Sequence, residues 1–113
     1  MLNDWKTYRE ALHTTVGAFA ALNPDAMRGL GMISGAAAHG TLGPKIHELI
    51  ALAVAITTRC DGCIATHAKL AADHGATREE IAEVLGTAIA LNAGAALTYT
   101  ARALDAFDAF RPE

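Results

Sequence analysis

Between Pro44 and Thr58 the chain is apolar almost all the way round a helix, and this stretch restricts the fold more than any other. At about 100° per residue, Leu49, Ile50, Leu52, Val54 and Ile56 cover most of the circumference. A helix of that kind is stable only when other elements surround it, so the rest of a 113-residue chain has to wrap it. Val54, Ile56, Thr57 and Thr58 would also suit a strand. The proline start, the length and the interleaved alanines favour a helix. The remaining stripe is Glu48, Ala51, Ala55 and Thr58, small side chains beside one carboxylate, on which a second helix can lie close.

Punctuation divides the other residues into helical lengths. Asn3 or Asp4 can cap a first helix whose Trp5, Tyr8, Leu12, Val16 and Phe19 share one face. Asn23-Pro24 is a cap followed by proline at the first helical position, a restart signal. Gly29, Gly31 and Gly35 weaken the helix after it, and Gly40 to Gly43 reads as a loop. A fourth helix is expected from near Cys60 to just before Gly75. Thr77-Arg78-Glu79-Glu80 is a capping box, opening a fifth helix to about Leu91. Asn92-Ala93-Gly94 is expected to break it, with a last helix continuing towards Phe110. No Asn-Gly or Asp-Gly hairpin signal and no period-two alternation is present. The expectation is one all-α domain over residues 1–113, with about six helices.

Composition narrows the function. Hydrophobic residues make up 52% of the chain, but many are alanines, which fill little volume. A core so thin calls for further burial by self-association. Net charge is −3 and the nine basic residues are scattered, whereas nucleic-acid binding needs a concentrated basic face. The longest strongly apolar run, Leu49 to Ile56, falls well short of the about 20 residues of a bilayer span, so no membrane helix is expected. Met1 to Lys6 has no apolar core of a signal peptide. Those features predict a cytoplasmic setting, where a lone cysteine pair is catalytic or metal-binding more often than structural.

That pair is Cys60-Asp61-Gly62-Cys63. Three residues turn a helix by about 300°, so both sulfurs face one way, one turn apart. His67 follows Cys63 by four residues and shares the same sector, placed to exchange a proton with either thiol. The helix N-terminus favours an anion, which lowers a thiol's pKa; Arg59 supports this effect and Asp61 opposes it. If the stripe on the preceding helix packs here, Glu48 can reach the histidine. Thiol, imidazole and carboxylate would then form a relay of the kind general acid–base catalysis uses.

These residues carry a resemblance. The segment from Gly43 to Gly75, with Pro-Lys-Ile-His-Glu-Leu-Ile-Ala-Leu-Ala-Val-Ala followed by Cys-Asp-Gly-Cys-Ile-Ala-Thr-His, resembles the AhpD-like (alkyl hydroperoxidase D-like) branch of the carboxymuconolactone decarboxylase family. Glu-Glu-Ile-Ala-Glu-Val-Leu, within Thr77 to Leu85, fits the same pattern, so the likeness spans most of residues 40–104. The resemblance implies an all-helical protein that assembles as a homotrimer or homohexamer. It also implies reduction of a hydroperoxide or a disulfide, without a cofactor, using a thiol reductant or reductase partner. By position, Cys63 would be the peroxidatic cysteine and Cys60 the resolving one, with His67 and Glu48 as the relay. One departure stands out: Gly62 occupies the position where the best-known AhpD proteins carry a histidine.

Other readings compete. Cys60, Cys63, His67 and either Glu48 or His47 could hold zinc, or the pair could sense oxidation in a helical binding protein. The family name also suggests a lactone decarboxylase, although that branch generally lacks the C-x-x-C. His47 points about 100° away from Glu48, towards a surface or interface. His74 precedes a C-cap glycine and suits a cation at the helix end. His13 and His39 have no partner in the sequence pattern. Trp5, Tyr8 and Phe19 read as core or interface.

Overall fold

The computed structural model describes residues 1–38 and 40–113. It contains five helices and, among the described residues, no strand: α1 (Trp5–Leu22), α2 (Pro24–Ala38), α3 (Pro44–Thr58), α4 (Asp61–Asp73) and α5 (Arg78–Phe110). Each start has a local cause. Asp4 caps α1 by accepting the Thr7 amide at 3.1 Å, and Asn23 accepts the Ala26 amide at 3.2 Å before Pro24. Thr77 and Glu80 form the full reciprocal capping box of α5. At the end of α4, Gly75 takes a left-handed φ of 79° that a side chain would resist, and the amides of His74, Gly75 and Ala76 fold back onto the last carbonyls.

The apolar helix is central, as its composition requires. α3 packs on α4, α5 and α2, while α1 lies on α4 and α2. Among the described residues the buried ones are few and mostly small: Leu49, Leu52 and Ala55 of α3, Ala65 and Ala71 of α4, and Ala88 of α5. One side of α3 stays open, because Ile46, Ile50 and Val54 are exposed in a single stripe. Lys45 of α3 pairs with Glu80 of α5 at 2.8 Å and ties the two N-termini together.

The main difference from the sequence reading lies in α5. Asn92-Ala93-Gly94 does not end a helix: α5 runs without interruption for 33 residues. The Asn92 amide donates to the Ala88 carbonyl at 2.7 Å, so the side chain bonds back along the helix instead of competing with it. No proline stands there to remove a donor, and Gly94 is tolerated. With no break, α5 is long and apolar enough by length and composition to cross a membrane, with mean hydropathy 1.5 over an 18-residue window. Arg102, Asp105 and Asp108 nevertheless put three charges on its outer half, with Leu104 sharing a face with Asp108 one turn on. Every residue from Ile89 onward is exposed. The radius of gyration is 18.8 Å, against about 13 Å for a compact chain of this length, because α5 projects past the other helices.

Candidate functional site

The turn between α3 and α4 sets the site. Arg59 closes α3 in the left-handed conformation, φ 53°, which costs a non-glycine residue roughly 1–2 kcal/mol. This reverses the chain at once, and the Cys60 amide donates to the Ala55 carbonyl at 3.1 Å. Cys60 is extended and is the N-cap of α4, its Sγ accepting the Cys63 amide at 3.1 Å. A disulfide joins Cys60 to Cys63 across a Cα separation of 5.2 Å, within the usual range for a bridge. Because Cys60 stands outside the helix, the bond spans the cap and the third helical residue, and no helical turn has to open.

The small-residue stripe of α3 lies on α4 and brings Glu48 to His67. The imidazole Nδ1 donates to Glu48 Oε2 at 2.6 Å. Glu48 is 15% exposed and His67 33%, so the pair is shielded on the carboxylate side and open on the ring side. Holding Nδ1 on the carboxylate leaves Nε2 as the ring nitrogen free to exchange protons. Cys63 sits one helical turn before His67 on the same face. All four residues singled out from the sequence therefore lie within one helical hairpin, as a bonded cysteine pair and a hydrogen-bonded His67–Glu48 pair.

One contributor was not singled out. Leu12 of α1 lies against Gly62, where an added Cβ would come within 2.8 Å of Leu12 Cδ2. The position that carries histidine in the best-known AhpD proteins is therefore covered here by α1, and a side chain there would push Leu12 aside. The apolar face of α1 was visible in the sequence, but its landing point on the cysteine turn was not.

The other histidines stand apart. The Nε2 atom of His47 is buried, without a partner among the described residues, and faces Gly40, where an added Cβ would lie 3.2 Å from it. That direction leads to the loop before α3, away from the cysteines. Among the described residues, no three His, Cys, Asp or Glu side chains gather to hold a metal. His74 is the exposed C-cap of α4, His13 is exposed on α1, and His39 lies outside the described residues.

Comparison with known proteins decides the family. The model of the carboxymuconolactone decarboxylase family matches residues 24–106. The chain belongs to this family. A Legionella pneumophila member, solved in its apo form, has the same fold with a TM-score of 0.73 and 36% identity, covering 94% of this chain and 96% of its own. An uncharacterized protein of Haemophilus influenzae is 46% identical over 108 residues, covering 95% of this chain and 96% of its own. One from Cupriavidus necator is 37% identical over 110 residues, covering 96% of this chain and 97% of its own. Members of this family are often enzymes, which supports enzymatic activity at that coarse level.

Proposed function

We propose that this family member is a thiol-dependent oxidoreductase that reduces hydroperoxides and cycles Cys60 and Cys63 between dithiol and disulfide. The observation that carries the reading is the bonded cysteine pair with the His67–Glu48 pair one turn away. In the dithiol form His67 Nε2 takes the proton of Cys63, and Glu48 holds the resulting imidazolium. The Cys63 thiolate attacks the distal peroxide oxygen, the O–O bond breaks, and the proton passes to the departing alkoxide. Cys63 is then a sulfenic acid and the product an alcohol. The Cys60 sulfur then attacks the sulfenic sulfur; the S–O bond breaks, the hydroxide leaves as water with the proton of the Cys60 thiol, and the disulfide forms. Two equivalents of a thiol reductant restore the dithiol. The same thiolate at the helix end would serve exchange with a disulfide substrate, and a reducing cytoplasm fits either chemistry.

Intact-mass analysis tests the proposal: the reduced protein, treated with cumene hydroperoxide, should lose two hydrogens and yield one cumyl alcohol per chain. Free thiols after excess peroxide would overturn it.

The same reading includes self-association. The exposed stripe Ile46–Ile50–Val54 and the exposed apolar residues of α5 from Ile89 onward have no cover among the described residues of one protomer, and a second copy supplies surfaces of the same kind. A homotrimer or homohexamer is expected by light scattering. A persistent 11.7 kDa monomer, or partition of the chain into lipid vesicles, would overturn that part.

A further inference from the structure

A cavity of about 620 Å³ lies between α1 and α4, on the side of α4 turned away from the thiols. Counted from Cys63, Ala65, Ala68 and Ala72 fall about 140–200° round the helix, whereas Cys60 and His67 stay within about 60°. The floor is apolar, made by those alanines with Ile64 and the indole of Trp5. Its size and lining are those of a small-molecule site.

The rim is charged, and the charges do not cancel. Lys69 and Asp73 satisfy each other at 2.6 Å. Glu10, Lys6 and Arg9 remain, one carboxylate against two cations, and none of the three makes an ion pair among the described residues. Arg9 is half-buried: its Nε is enclosed, with no hydrogen-bond partner among the described residues, and its terminal nitrogens are left at the rim. The two terminal nitrogens of the guanidinium, engaged by no other described residue, match a carboxylate in two parallel bonds.

We infer that this cavity binds a monocarboxylic acid with an apolar chain, its carboxylate on Arg9 and its hydrocarbon against Trp5 and the alanine floor of α4. The site lies across α4 from the cysteine pair and is independent of the redox reading. Bulk and charge assign separate roles to its parts: the alanines leave room for the chain, and Arg9 selects the acid over a neutral analogue.

Trp5 is the single tryptophan of the chain, so its emission reports on this cavity alone. Titration of the full-length protein with decanoate, below its micelle concentration, should give a saturable change in Trp5 emission. Decanol should bind about tenfold more weakly or worse, from loss of a charged hydrogen bond. Arg9→Gln should erase that difference while still binding decanol, and Arg9→Lys should restore part of it. Ala68→Phe, with an unchanged circular dichroism spectrum, should block both ligands. The inference is overturned by the absence of a saturable response, by equal affinity for acid and alcohol, or by an Arg9→Gln variant that discriminates as before. It is also overturned if Trp5 is shielded from acrylamide in the assembled protein and indifferent to decanoate, which would mean that a second copy fills the cavity.

Discussion

The α3–α4 hairpin and the outer part of α5 are built from similar residues, alanine interleaved with large aliphatics, yet they occupy opposite situations. In the hairpin, Leu52 is 5% exposed and each helix covers the other. Along α5, Leu104 is 65% and Phe110 88% exposed. Polar groups follow the same division. In the hairpin Glu48 reaches across to His67, while Thr98 and Thr100 of α5 return their hydroxyls to their own helix, onto Gly94 and Leu97. Composition alone therefore does not say where chemistry resides. Within this protomer the hairpin has a facing helix to hold a side chain in place, and the outer part of α5 has none.

The comparison can be broken most decisively at the hairpin. Cys63→Ser should abolish peroxide consumption, whereas Cys60→Ser should permit one oxidation, trapped as a sulfenic acid on Cys63 by dimedone. If Cys63→Ser keeps wild-type kinetics and Cys60→Ser is dead, the two roles are reversed. Next in size, His67→Ala and Glu48→Gln should each slow single-turnover peroxide reduction by about 10²–10⁴-fold, the usual share of general acid–base catalysis. Wild-type rates in both variants would make the pair structural.

Stability measurements sharpen the contrast between the two regions. Leu52→Ala should cost about 2–5 kcal/mol in urea unfolding, as large-to-small changes in a packed position do. Leu104→Ala should change the dissociated protomer by less than about 0.5 kcal/mol, with its cost appearing only in concentration-dependent melts of the assembly. An equal loss at both positions under dilution would show that α5 is covered from within the protomer.

The smallest effect concerns the link between the regions. Hydrogen bonding to Lys45, then to the Thr77 backbone, holds the Glu80 carboxyl below the usual range. Its folded value thus lies below its unfolded one. The stabilisation is present above the ordinary value of 4.5 and fades as pH falls through the lower folded value. Glu80→Gln should flatten the acid limb of the melting profile slightly, and an unaltered limb would remove Glu80 from the account.

Much of the site was legible because it is written in short intervals. The interval from Cys60 to His67 fixes a helical face, and the stripe of Glu48, Ala51 and Ala55 marks where a neighbour can approach. The start of α3, the cap of α5 and the stop at Gly75 were readable because each depends on a proline, a capping side chain or a missing Cβ, whereas the left-handed Arg59 that ends α3 carries no such mark. The continuity of α5 was not. Asn92 and Gly94 are poor helix formers, and only the bond from Asn92 to Ala88 shows that local competition loses there. The placement of Leu12 on Gly62 was illegible for another reason: it joins residues 50 positions apart, and no local pattern encodes such a meeting.

A final consequence concerns the order in which the molecule is made. Every residue of the redox site lies between Glu48 and His67, an interval of 19, inside two helices joined by one tight turn. Closing so short a loop costs little chain entropy, and contacts near in sequence form early. The reactive centre should be assembled in a nascent protomer before any partner arrives. Amide protection in pulsed hydrogen exchange should then appear in α3 and α4 ahead of α5.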